Sequence, residues 1–150
     1  LKEATKKRFN LFYLMFYEDG ERNVKVEINR RNFDSEYEIK TYLGVSMLVM
    51  KKEDMFAHKL MAMYERMEKT SRDIYDVNFF LKKRFSINEK IIENRSGMKF
   101  GEFKKELITK LEGYNNKNIL NGLGELITSA QKYQVKTNLV KDTIQLLKLR

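Results

Sequence analysis

The sequence predicts an α+β fold, with strands in the first third and helices in the rest. Three observations carry that prediction. Aromatic and β-branched residues cluster between turn signals in the first fifty positions. At Lys52 the hydrophobic period changes from two to the three-and-four spacing of a helix face. From about residue 87 onward, helical patterns alternate with Gly and Asn punctuation.

Taken in order, residues 9–17 (FNLFYLMFY) read as a buried strand entering a hairpin, whose turn is made by Glu18-Asp19-Gly20-Glu21. Residues 23–30 (NVKVEINR) alternate, which puts Val24, Val26 and Ile28 on a core face and Lys25, Glu27 and Asn29 on a polar one. Two further strands, 36–43 and 45–50, are expected on either side of Gly44, which marks a bulge or turn. Phe56, Leu60, Met63 and Met67 then step by four, three and four, the core stripe of an amphipathic helix over 52–69. A second helix is expected to start at a Thr70 or Ser71 N-cap, with Asp73 in capping-box position, and to run to about residue 84. Further helices are expected over 87–94, 100–114, 118–129 and 138–149, forming a bundle that buries Leu107, Ile108, Leu111, Leu120, Leu123, Leu126, Ile127, Leu139, Ile144 and Leu147. The aromatics Phe9, Phe12, Tyr13, Phe16, Phe56, Tyr75, Phe79 and Phe80 read as core, and Met47, Met50, Met55, Met61, Met63 and Met67 as core filler. This divides the chain into a sheet portion (1–51), a helix pair (52–86) and a C-terminal helical domain (87–150).

Composition bounds the function. The 150 residues are 42% hydrophobic and 34% charged, enough apolar surface for one domain with a real core. Lys and Arg number 30 against 21 Asp and Glu, an excess that favours a polyanionic or phosphorylated partner. Cations and anions number nine and eight in residues 1–50, eleven and eight in 51–97, and ten and five in 98–150, so the helical tail carries most of the excess. The absence of cysteine excludes a disulfide scaffold and a thiolate metal site, and makes a reducing cytoplasm the natural compartment. The longest apolar run, residues 11–17, is too short to cross a bilayer as a helix, so no membrane span is expected. The opening LKEATKKRFN carries no Met and no signal pattern and reads as the start of an excised or processed chain. Proline, internal repeats and low-complexity runs are all missing, which leaves no rigid linker and no solenoid.

Few residues are suited to chemistry. Glu27 projects from the polar face of its strand, where Lys25 would also neighbour it on an ordinary solvated sheet. Met55, Lys59, Ala62 and Arg66 form one helical stripe, so Lys59 and Arg66 stand two turns apart on the same face. Two such cations beside a pair of aspartates suit a triphosphate and its metal, while the same charges also suit a salt-bridged surface in which Glu65 and Glu68 take part. Asp73 and Asp76, three apart, point the same way from the start of the second helix. His58 has no second His or Cys at ligand spacing and reads as structural or merely exposed.

VKVEI at 24–28, followed about 25 residues later by DMFAHKLMAMYERMEKTSRDIYDVNFF, resembles the AbiEii/AbiGii-type nucleotidyltransferases, the toxin half of type IV toxin–antitoxin and abortive-infection systems. The specific part is KL-x-A-x-x-x-R followed by RD-x-Y-D. The resemblance implies a polymerase-β-like nucleotidyltransferase sheet, present here in part, followed by a C-terminal helical bundle. It implies Glu27 as the strand carboxylate of the second motif and as a metal ligand. Lys59 would contact the nucleotide phosphates, with Arg66, Arg72 and Asp76 also at the nucleotide and Asp73 as the final acidic motif. Glu27, Lys59 and Asp73 are then expected to serve one phosphate site. It further implies an NTP substrate, Mg2+, an RNA or tRNA acceptor, a cognate antitoxin and a role in phage defence. A Gly-Ser pair followed by Asp-x-Asp belongs before the Glu27 strand in that family, and residues 1–26 contain neither. The chain is therefore expected to be the C-terminal portion of a longer enzyme and not to transfer nucleotides alone. A different class of reading also stands at this point, a non-catalytic module that binds RNA or an antitoxin and uses the Lys, Arg and Asp set as an ion-pair network.

Overall fold

Gly20, at a φ of +84°, gives the Glu18-to-Glu21 segment its reversal, a backbone region open to glycine at little cost. It joins β2 (Asn10–Met15) to β3 (Val24–Asn29), and β1 (Glu3–Lys6) completes an antiparallel sheet in the order β1-β2-β3. Register sets Tyr13 opposite Val26 and Phe12 opposite Glu27. The structure, a computed structural model, describes residues 2–123 and 127–150, and of Asn118 the backbone alone. Its contacts divide into two units, residues 1–34 and 35–150.

The first unit departs from the expected strand faces. Val24 and Ile28 are exposed, as are Phe9 and Phe16, and none of its described side chains is buried. A three-stranded sheet has too few elements to cover either face, so alternation marks the strand here without marking a core. The strand β1 was not anticipated, because EATK lacks β-branched and aromatic clustering.

In the second unit β4 (Tyr37–Tyr42) and β5 (Val45–Met50) form a hairpin closed by Leu43 and Gly44, both at positive φ (+48° and +79°). Two central residues at positive φ are the signature of a type I′ turn, whose twist matches that of paired strands. Met47 lies exposed on this hairpin and is not core filler, whereas Met61, Met63 and Met67 are buried.

Among the described residues five α-helices follow: α1 (Lys52–Arg66), α2 (Arg72–Lys82), α3 (Glu89–Ser96), α4 (Phe100–Glu112) and α5 (Ser129–Lys148). The α1 stripe of Phe56, Leu60, Met63 and Met67 is buried as its spacing predicts, against Ile74 and Val77 of α2, Ile92 of α3 and Phe103, Leu107 and Leu111 of α4. Phe56 stacks on Phe80 with centroids 5.1 Å apart, but Phe79 at the preceding position is exposed and Tyr75 is only partly buried. Two buried polar contacts fix the arrangement. Asp54 accepts from the Glu36 backbone N–H (2.6 Å) and Asn88 Nδ2 (2.7 Å), tying β4 and the α2–α3 loop to the start of α1. Asn78 Nδ2 donates to Thr143 Oγ1 (3.0 Å), which donates to the Leu139 carbonyl (2.7 Å), clasping α5 to α2.

The C-terminal bundle is helical, with two corrections. No α-helix occupies the described part of 118–128: residues 119–123 are turns after a 3-10 segment at Asn116–Asn118, and 124–126, including Leu126, lie outside the described residues. Gly122, at a φ of +77°, breaks the helical path, and Ser71 Oγ donates to the Asn121 carbonyl at 2.9 Å, fastening this loop over the α1–α2 turn. The second correction concerns α5, which begins at Ser129 rather than 138 because Thr128 and Gln131 form a capping box. Leu107, Leu111, Leu123, Ile127, Leu139 and Leu147 are buried as expected, while Ile108, Leu120 and Ile144 are partly so.

Candidate functional site

The site is built by one helix, a turn and the helix that follows. α1 carries Lys59 and Arg66 on one face, and the chain reverses through residues 67–71 so that the first two turns of α2 bring Asp73 and Asp76 against that face. Arg66 Nε meets Asp73 Oδ2 at 2.6 Å and Nη2 meets Oδ1 at 3.1 Å, a two-point guanidinium–carboxylate clamp. Lys59 Nζ lies 2.5 Å from Asp76 Oδ2 and 3.9 Å from Asp73 Oδ1. The spacing of KL-x-A-x-x-x-R and RD-x-Y-D thus becomes a four-residue cluster in which two cations share two carboxylates.

Exposure differs sharply within it. The Asp73 side chain is 2% exposed, whereas those of Asp76, Lys59 and Arg66 are 26%, 32% and 53% exposed. The buried Asp73 acts as the fixed anchor, and its hydrogen bond holds the Arg66 guanidinium above the ordinary arginine range. Asp73 therefore does not cap α2: Ser71 is the N-cap residue without a side-chain cap bond, and Thr70 Oγ1 takes the Arg72 N–H at 3.3 Å. Arg72 stands exposed at the first position of α2. Glu65 pairs away from the cluster, with Arg95 at 2.8 Å.

Glu27 belongs to the first unit, on β3, where it pairs with Lys25 at 3.0 Å with both side chains 55% exposed. His58 is half-buried and held on both nitrogens: Arg95 Nη1 donates to Nδ1 (2.9 Å), which leaves Nε2 to donate to Ser35 Oγ (2.7 Å). Burial first, and then the Arg95 charge, push its pKa below the usual imidazole value. Its reading as structural agrees with this geometry. Sequence reasoning did not find Asp54, 1% exposed and central to the hydrogen bonding at the start of α1, nor Tyr64, whose hydroxyl donates to Glu106 Oε1 at 2.6 Å. Both depend on partners distant in sequence, and neither is one of the fixed positions of the motifs within the 54–80 stretch that contains them.

A helix-borne lysine and arginine set against paired aspartates thus form one closed ion-pair cluster in an α+β chain. Residues 4–133 match the family model AbiEii, described as nucleotidyl transferase AbiEii toxin of the type IV toxin–antitoxin system, and the chain belongs to that family. No curated protein and no solved structure matches it. The resemblance drawn from residues 24–28 and 54–80 is thereby shown, over a longer stretch than those motifs span. No helix among the described residues is long and apolar enough to cross a membrane.

Proposed function

We propose that this chain supplies the phosphate contacts of a nucleotidyltransferase that moves a nucleotide from an NTP to an RNA acceptor, tRNA included, by a two-metal mechanism. The observation that carries the reading is the shared cluster. Lys59, partly exposed and 2.5 Å from Asp76, exchanges a carboxylate for a phosphate by rotating its flexible stem, while the Arg66–Asp73 clamp stays in place beside it. Lys59 neutralises charge on the departing pyrophosphate, and Arg66 and Arg72 add positive field. Asp73 positions Arg66, Asp76 returns Lys59 to its resting place, and Glu27 would be the strand carboxylate that holds a metal, on leaving its pair with Lys25.

Mg2+ is proposed to enter on the triphosphate and to neutralise its oxygens when bound. The cluster does not itself fit a metal, because both aspartates face cations and no three His, Asp or Glu side chains gather suitably among the described residues. What these residues do is bind and orient phosphate. Two-metal transfer needs a carboxylate pair that bridges both ions, and this sequence contains no Gly-Ser pair and no Asp-x-Asp. The 150-residue chain is accordingly proposed to bind NTP–Mg2+ weakly through Lys59 and not to transfer. Family membership supports a cognate antitoxin as partner and a role in phage defence, and the cysteine-free composition supports a cytoplasmic setting.

The test incubates labelled NTPs and cellular RNA with this chain, and with a longer protein that adds the Gly-Ser and Asp-x-Asp motif. Only the longer protein should label RNA, and Lys59→Ala in it should cost about 3–4 kcal/mol of transition-state stabilisation. Robust labelling by the 150-residue chain, or full activity of the longer Lys59→Ala protein, would contradict the reading. The closed ion pairs also favour a second reading, a non-catalytic module in which the cluster only fastens α1 to α2. In that case Lys59→Ala lowers stability and leaves NTP affinity unchanged.

A further inference from the structure

We propose that the cleft between the C-terminal ends of α1 and α4 binds the phosphodiester backbone of single-stranded RNA, an inference that rests on the RNA acceptor proposed above. The cleft has a volume of about 690 Å3, and Tyr64, Arg66, Lys69, Lys110, Tyr114 and Lys117 line it. Four of those six are cations. Among the described residues none of Lys69, Lys110 and Lys117 has a carboxylate within ion-pair distance, and only Lys110 has a charge contact, over the Tyr64 ring. Glu65 and Glu68 also line the cleft; Glu65 is engaged by Arg95 (2.8 Å), while Glu68, and Glu106 that accepts from the Tyr64 hydroxyl (2.6 Å), are the opposing charges the four cations face.

The aromatic walls are rigid. The Tyr64 hydroxyl bond to Glu106 pins its ring and raises the phenol pKa, and Lys110 Nζ sits 3.8 Å from the ring centroid. Tyr114 is partly buried at the other side, its phenol pKa also raised by burial. Exposed lysines beside held aromatic rings are the combination that tracks a single strand, with lysines on the phosphates and tyrosines beside the bases. Arg66 belongs both to this cleft and to the clamp on Asp73, so a strand lying here would pass directly beside the Lys59 cluster.

The experiment measures binding of a short fluorescent single-stranded RNA to the 150-residue chain over a salt series, with NTP–Mg2+ titrated separately. The wild type should show a log–log salt slope of about −2 to −3, as expected for three or four single-strand phosphate contacts. The triple variant Lys69→Glu, Lys110→Glu, Lys117→Glu should weaken RNA binding at least tenfold and flatten the slope, with NTP affinity unchanged. An equal charge change on exposed positions elsewhere, Lys90→Glu, Lys136→Glu, Lys141→Glu, should alter it less than twofold. Should the cleft triple fail to fold, Lys69→Gln with Lys117→Gln, checked by circular dichroism, should still lower affinity at least threefold. Absence of RNA binding, or equal losses in the two triple variants, would overturn the proposal. RNA binding through the cleft without any NTP binding would instead sink the nucleotide role of Lys59 and leave the cleft assignment standing.

Discussion

Arg66 and Asp73 hold each other at two points across the reversal between α1 and α2, at 2.6 and 3.1 Å, with the aspartate side chain only 2% exposed. A carboxylate so nearly removed from water depends on its partner, and Lys59 at 3.9 Å offers only partial replacement. Because the Arg66 side chain is itself 53% exposed, Arg66→Ala should destabilise the chain by about 1–3 kcal/mol, less than the loss of a fully buried pair. Urea unfolding measures this. A change within experimental error would mean that Asp73 is solvated in solution.

The clasp between α2 and α5 makes a separate prediction. Thr143→Val keeps shape but leaves the buried Asn78 amide without its acceptor at 3.0 Å, which should cost about 1–3 kcal/mol. Amide exchange in α5 should accelerate with it. Unchanged protection along α5 would show that its apolar stripe alone holds it.

His58 sets a pH dependence, and it is the only histidine in the chain. Its pKa in the fold lies below the ordinary value of 6.5, because of burial first and Arg95 second, with Asp54 pulling weakly the other way. As pH falls through about 6.5 the unfolded chain takes up a proton that the folded chain does not, so stability declines until the folded pKa is reached. Above 6.5 the contribution is constant. Denaturation between pH 5 and 8 should show this slope, His58→Asn should remove it, and a stability that rises on acidification through that window would contradict the geometry.

Leu43 occupies the left-handed region at a φ of +48° on an 86% exposed turn position. A leucine there carries strain that asparagine tolerates better, so Leu43→Asn should stabilise the β4–β5 hairpin by about 0.5–1 kcal/mol. Melting temperature and hairpin amide exchange report it, and a loss of stability would show that Leu43 makes a contact in solution beyond the turn.

Much of the cluster was readable in advance because it depends on local periodicity. Lys59 and Arg66 share a helical stripe, and Asp73 and Asp76 share another a short reversal later, so spacing alone brings them to facing positions once two helices form. What Asp73 does there was not readable: its place after Thr70 suggested a cap, and an arginine seven residues upstream took the carboxylate instead. The tail shows the same limit. The helix expected over 118–129 runs through Gly122, but the positive φ of that residue and the Ser71–Asn121 bond make a loop fastened to a turn fifty residues earlier. The capping box at Thr128 and Gln131 was present in the sequence and would have placed the start of α5 correctly. In the first unit, alternation gave strands β2 and β3 without saying whether anything covers them, since period reports which side chains share a face and not how wet that face is.

The most direct measurement is calorimetric titration of each NTP with Mg2+ into the 150-residue chain and its Lys59→Ala variant, with thermal unfolding followed in parallel. Removing a lysine that holds phosphate should weaken binding about tenfold or more, roughly 1.4 kcal/mol. The melting temperature should hardly move, since Asp76, the partner left behind, has a 26% exposed side chain that water can reach. Unchanged NTP affinity in Lys59→Ala, accompanied by a clear fall in melting temperature, would show that the cluster is an ion-pair fastener and not a phosphate site.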